Sequence, residues 1–213
     1  MTTRPTSVRT GLGALCLAVL LGMAVVPGPA GAAPNIPVSL QGVHSSPTPT
    51  SFWLASTAGQ VWNFGGAPAY GGLGAAPNTP VVDVATTPDR HGYWLVSSDG
   101  GIFSFGNAQF YGSTGSLTLN KPVVGMATTH DGGGYWMVAS DGGIFSFGDA
   151  HFYGSAGSLH LFEPVVGMVA TPSGQGYWFV ASDGGVFAYG DAYFVGSIGG
   201  VQQASPVVGL ATL

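Results

Sequence analysis

The sequence predicts an all-β fold assembled from about four copies of one small sheet. Three observations predict it: a fixed 42-residue period, a set of turn residues that divides each period into four short extended segments, and apolar side chains on both faces of those segments.

The period is read from three landmarks. Pro80-Val81-Val82, Pro122-Val123-Val124, Pro164-Val165-Val166 and Pro206-Val207-Val208 recur at 42-residue intervals. Gly92-Tyr93-Trp94, Gly134-Tyr135-Trp136 and Gly176-Tyr177-Trp178 keep that interval, as do Asp99-Gly100-Gly101, Asp141-Gly142-Gly143 and Asp183-Gly184-Gly185. Residues 80–121 and 122–163 agree at 29 of 42 positions without a gap. A degenerate first copy begins near Pro37 and carries Phe52-Trp53, Val61-Trp62-Asn63-Phe64-Gly65 and Tyr70-Gly71. The repeats are therefore placed at about 37–79, 80–121, 122–163 and 164–205, with a partial fifth at 206–213.

Within the third copy, Val123 to Thr128 reads as strand a and Tyr135 to Ser140 as strand b. Asp141-Gly142 between strands b and c is expected to be a two-residue type I′ hairpin turn, which needs positive φ. Ile144 to Phe147 reads as strand c, Gly148-Asp149 turns the chain again, and Phe152 to Ser155 reads as strand d. No segment after the leader sustains a 3.6-residue apolar period, which speaks against helix.

Side-chain parity selects the architecture. In strand b, Tyr135, Met137 and Ala139 point one way while Trp136 and Val138 point the other. A sandwich would leave one face of each sheet polar. Sheets apolar on both faces must each be covered twice, and a ring of sheets does this because every sheet packs between two neighbours. The expectation is thus a β-propeller of about four four-stranded blades, with a β-solenoid as the alternative.

Composition excludes several classes. Of 213 residues only 13 are charged, which is incompatible with charge-driven disorder and with a basic, phosphate-binding surface for nucleic acid. The 37 glycines follow no three-residue period, so a collagen helix is excluded. At the start of the chain, Arg4 and Arg9 precede the apolar run Leu12 to Val26, then Pro27-Gly28-Pro29 and the small-residue site Ala30-Gly31-Ala32. This layout predicts a signal peptide over 1–32 and a repeat domain over 33–213, secreted or cell-wall associated. Cleavage after Ala32 would leave Arg90 and Lys121 against all nine acids, a net charge of −7, and would remove the single cysteine, Cys16. No second apolar run reaches membrane-spanning length.

The unit from Gly134-Tyr135-Trp136-Met137-Val138 through Ser140-Asp141-Gly142-Gly143-Ile144-Phe145-Ser146-Phe147-Gly148-Asp149-Ala150, with Phe152-Tyr153-Gly154-Ser155, resembles a repeat of secreted actinobacterial tandem-repeat β-propeller proteins. The resemblance covers Pro37 to Leu213 and implies an extracellular propeller, often found beside cell-wall or hydrolase domains, without implying one activity or any catalytic residue. The first copy departs from the pattern, with Ala58 in place of the turn aspartate and Gln60 in place of the second glycine.

Two sets of repeated residues have a chemical as well as a structural reading. Asp99, Asp141 and Asp183 could line one rim and bind a cation, but Asp-Gly turn chemistry accounts for them fully, and they are assigned as structural turn residues. Trp53, Trp94, Trp136 and Trp178 share one position; the favoured reading is core between sheets, as for Phe103, Phe145 and Phe187, and the other reading makes them the candidate ligand-contacting residues, by stacking on sugar rings. Asn107, Asp149 and Asp191 occupy a second turn site and read as turn caps. The histidines at 44, 91, 130, 151 and 160 show no metal-ligand spacing, and no catalytic, cofactor-binding or metal residue is assigned. The expected function is non-catalytic: an extracellular binding or scaffold module for cell-wall glycan or a protein partner, with no cofactor, and with oligomerisation as one route to a complete ring. The competing expectation is an extracellular hydrolase with carboxylates on the propeller channel.

Overall fold

The computed structural model describes residues 51–212, and every regular element among them is a β-strand. The expected signal peptide and the start of the first repeat lie outside the described residues. The first unit contributes β1 (Phe52–Ala55) and β2 (Val61–Phe64). The second has β3 (Val81–Thr86), β4 (Gly92–Ser97) and β5 (Ile102–Gly106). The third has β6 (Val123–Thr128), β7 (Gly134–Ala139) and β8 (Ile144–Gly148), and the fourth has β9 (Val165–Ala170), β10 (Gly176–Ala181) and β11 (Val186–Gly190). Each unit is its own antiparallel sheet, and among the described residues no ladder joins one sheet to another.

The register shows how a middle strand accommodates tryptophan. Trp94 lies between Ala85 and Ser104, and Trp136 between Ala127 and Ser146. Small residues on both flanking strands leave room for the indole on that face. The first strand of units two and three carries a register shift at the last residue of its Pro-Val-Val, between Val81 and Asp83 and between Val123 and Gly125.

The core lies between the units. Strands β4 and β7 are buried at all six positions. Tyr135 and Met137 pack against Trp94, Val96 and Ile102 of the preceding unit, whereas Trp136 and Val138 pack against Tyr177 and Phe179 of the following one. Opposite parity thus faces opposite neighbours, as the two-faced apolar pattern requires. Backbone bonds fix the spacing: the Val123, Val165 and Val207 amides donate to the carbonyls of Ser98, Ser140 and Ser182 at 2.8, 2.9 and 2.8 Å. Asp83 adds a second link, accepting the Met126 amide at 3.0 Å.

Two expectations are corrected. The fourth strand, predicted at Phe152 to Ser155 and its equivalents, is absent from the described residues: the sheets have three strands, or two in the first unit. Gly106, Gly148 and Gly190 end the third strand at φ +66° to +69°, and Gly112, Gly154 and Gly196 lie at φ +139° to +145°, which breaks an extended ladder. The segment that follows bridges two units instead. The Tyr111 amide donates to the Tyr135 hydroxyl at 3.1 Å and its own hydroxyl donates to the Gly132 carbonyl at 2.9 Å, while the Thr114 amide returns to Gly100 of its own unit.

The hairpin turn is also not type I′. Among described residues only Arg90 combines a side chain with positive φ, so Asp99, Asp141 and Asp183 do not have it. Gly100 donates to Ser97 at 2.7 Å and Ser97 donates to Gly101 at 2.9 Å, closing a three-residue loop with Gly100 at φ +75°. This is a type I turn followed by a left-handed glycine bulge. Its right-handed first half suits aspartate, and only the glycine needs positive φ. The first unit makes the same loop at Ser56–Gln60, with Gly59 at φ +78° and Ala58 in the aspartate position.

Candidate functional site

The turn aspartates are capped by their own loops. Asp99 accepts the Gly101 amide at 2.9 Å, Asp141 the Gly143 amide at 3.0 Å, and Asp183 the Gly185 amide at 2.8 Å. Burial pushes the Asp99 carboxyl up, but bonds from the Ser97 hydroxyl and the Gly101 amide outweigh it and leave the group below the ordinary carboxylate value. Three histidine, cysteine or acidic side chains close enough to hold a metal ion occur nowhere among the described residues.

The second set of loops ties the start of the middle strand to the end of the third. Asp89 accepts the His91 amide at 3.0 Å, the Thr87 hydroxyl at 2.7 Å and the Asn107 side-chain amide at 2.7 Å. These donors, led by the His91 amide, hold its carboxyl far below the ordinary range. Asp131 occupies the equivalent place, held low by the Gly133 amide and the Thr129 hydroxyl, and the Asp149 amide donates to the Gly133 carbonyl beside it at 3.1 Å. In the fourth unit Ser173 donates to Asp191 at 2.5 Å. The pairing 89–107, 131–149 and 173–191 was hidden in the sequence because its partners lie 18 residues apart in two different turns.

The four tryptophans separate by position in the array. Trp94 and Trp136 have no exposed surface, and their indole N–H groups donate to the carbonyls of Gln109 and His151, both at 2.7 Å. They have nothing to offer a ligand. Trp53 and Trp178, in the two end units, are partly exposed and make the same bond, to Pro68 and Tyr193, both at 2.8 Å.

The aromatic residues that do face solvent sit elsewhere. Phe110, Phe152 and Phe194 are equivalent, 42 residues apart, and are 60%, 53% and 56% exposed. Each directly follows a residue whose carbonyl is held by the buried or half-buried tryptophan of its own unit: Gln109, His151 or Tyr193. That anchor fixes the backbone beside each exposed ring. Gln109, His151 and Tyr193 are exposed too, so units two to four each present a phenyl face beside a polar or amphipathic side chain; the first unit has Ala69 in that place. The repeated phenylalanine is visible in the sequence, but its exposure is not, because nothing local shows which side of this segment meets solvent.

Comparison with known proteins adds little. No family model matches this chain, and no curated protein matches it. Among solved structures it is similar to the β-propeller domain of Cps50 (Swd1) from Myceliophteria thermophila, at a TM-score of 0.46 and 10% identity, over 65% of this chain and 47% of that one. This chain therefore spans about half the length of that domain.

Proposed function

We propose that this chain is an extracellular, non-catalytic binding or scaffold module of the β-propeller type, exported by its N-terminal signal and directed at cell-wall glycan or a protein partner. The observation that carries the reading is the exposed phenylalanine at 110, 152 and 194. Burial explains why a copy keeps its tryptophan or its turn glycine; it does not explain a phenyl ring kept half in water in three successive units. An anchored aromatic face beside a glutamine, histidine or tyrosine suits a repetitive partner, whether the apolar face of a sugar ring or a protein side chain.

The test is binding by the exported protein, with mass spectrometry to establish whether the chain starts at Ala33. Insoluble cell-wall material and a glycan array are probed with wild type and with a variant carrying F110A, F152A and F194A. Binding by wild type and at least tenfold weaker retention of the variant is the expected result. Equal retention of both, or release of sugars from the wall by wild type, would reject the reading and favour a hydrolase.

A further inference from the structure

The internal interfaces between units use one lock. A tyrosine of the middle strand donates its hydroxyl to a glycine carbonyl of the preceding unit: Tyr93 to Gly71, Tyr135 to Gly112 at 2.6 Å, and Tyr177 to Gly154 at 2.6 Å. Two residues on, Leu95, Met137 and Phe179 are fully buried at the same junction. The aromatic opposite each tyrosine also lies against that glycine, since a side chain on Gly112 or Gly154 would run into the ring of Phe147 or Tyr189.

At the fourth unit the lock is formed and, among the described residues, empty. Gly196 holds φ +145°, as Gly112 and Gly154 do at +139° and +142°, yet a side chain there would meet nothing within 4 Å. Beside it lies an apolar groove of about 450 Å³, lined by Val180, Val186, Val195, Ile198 and Val207. Val195 is 89% and Ile198 49% exposed. At the near end the key is exposed: Phe52, Leu54 and Phe64 stand where the interior units place Tyr, Leu/Met/Phe and the opposing aromatic, and they are 51%, 40% and 43% exposed. The β1–β2 sheet has no inner strand among the described residues, while the Pro-Val-Val segment at 206–208 is docked by its Val207 amide and has no sheet. Key and groove both stay exposed, so no described residue of the chain fills the groove.

We propose that the occupant of this groove is a second copy of the same chain, its Phe52, Leu54 and Phe64 seated against Gly196, Val186 and Ile198, with residues 206–212 of the first copy beside β1 of the second. The contact continues the interface already repeated inside the chain. It is head-to-tail, so it closes into a ring or extends into a filament according to the rotation it imposes.

Sedimentation of the full chain over a range of concentrations tests this against L54D and I198D. Wild type is expected to associate reversibly, and each variant alone to remain monomeric at concentrations at least tenfold higher. An equimolar mixture of the two should recover a one-to-one dimer, because one intact key then meets one intact groove; an association driven by the apolar leader would not show this complementation. F52Y adds the missing hydroxyl, which Gly196 can accept, and should tighten association about three- to tenfold. This variant keeps the test decisive should an introduced charge unfold an end unit. Monomeric wild type at every concentration, variants that associate like wild type, or a mixture without complementation would overturn the proposal. So would a cysteine pair at 54 and 198, with Cys16 replaced by Ser, that cross-links only within one chain.

Discussion

The hydroxyl of Tyr135 donates to the carbonyl of Gly112, 2.6 Å away in the preceding unit, and accepts the Tyr111 amide at 3.1 Å. One phenol thus satisfies two backbone groups of a segment that belongs to no ladder. Its bonds add to those that Val123, Asp83 and Tyr111 make across the same junction, and the same ring lies 5.8 Å from the indole of Trp94 and 5.8 Å from Phe147.

Tyr135→Phe removes both bonds and keeps the ring. Leaving a half-buried carbonyl and amide without their partner should cost about 1–3 kcal/mol. Chemical denaturation of the purified protein would show this as a lower midpoint with an unchanged slope. Tyr177→Phe should behave alike, because Tyr177 holds Gly154 and Tyr153 in the same way. A junction that did not depend on the phenol would leave both midpoints at the wild-type value.

The same tyrosines set the alkaline limit of stability. Burial raises the phenol pKa of Tyr93, Tyr135 and Tyr177 above the ordinary 10.0. A raised folded-state value means that the unfolded chain loses the proton first. The stabilisation is therefore whole below about pH 10 and is lost as pH rises from there through the folded value. Thermal melts are expected to be level up to about pH 9 and to fall beyond it, with a shallower fall in Tyr135→Phe.

At the hairpin loops the glycine outweighs the aspartate. Asp141→Asn should change stability by less than about 0.5 kcal/mol, since the amide oxygen can still accept from Gly143 and the position does not need positive φ. Gly142→Val places a β-branched residue at φ +80°, where its Cβ would stand 2.7 Å from the Ala156 Cβ. Strain of that kind costs about 1–3 kcal/mol before the clash is counted. A calcium-dependent rise in Tm that disappears in the Asp99, Asp141 and Asp183 variants would instead show the carboxylates acting as ligands.

How much was legible follows from what each residue depends on. The strands a, b and c of units two to four could be read within a residue or so, because Val-Val, Tyr-Trp and Ile-Phe-Ser-Phe alternate locally and glycine ends each run. The opposed faces of Tyr135 and Trp136 were legible for the same reason. The fourth segment misled. Phe152-Tyr153-Gly154-Ser155 has strand composition, but the Tyr153 and Gly154 amides donate to the Tyr177 hydroxyl of the next unit, a partner up to 24 residues away that no local pattern reveals. The aromatic surface is only half legible: the repeated tryptophan has the core place that its invariance suggests at 94 and 136, whereas nothing local shows that the phenylalanines at 110, 152 and 194 turn outward.

That contrast separates the cost of losing an aromatic from its use. Trp136 is fully buried, packs 5.6 Å from Tyr177 and 6.2 Å from Tyr153, and donates to His151. Trp136→Ala should remove about 3–5 kcal/mol and leave little folded protein at 37 °C. Phe152, one residue past the carbonyl that Trp136 holds, is 53% exposed, so Phe152→Ala should cost well under 1 kcal/mol. The two substitutions delete similar apolar area within one unit, and only the first deletes area that is out of water. Differential scanning calorimetry of both, alongside retention on cell-wall material, places each residue on one axis. Phe152→Ala is expected to keep the melting temperature within about 2 °C of wild type and to lose retention. A Phe152→Ala protein that melts as low as Trp136→Ala would mean that the phenyl ring is held by the fold, and the case for it as a contact surface would fail.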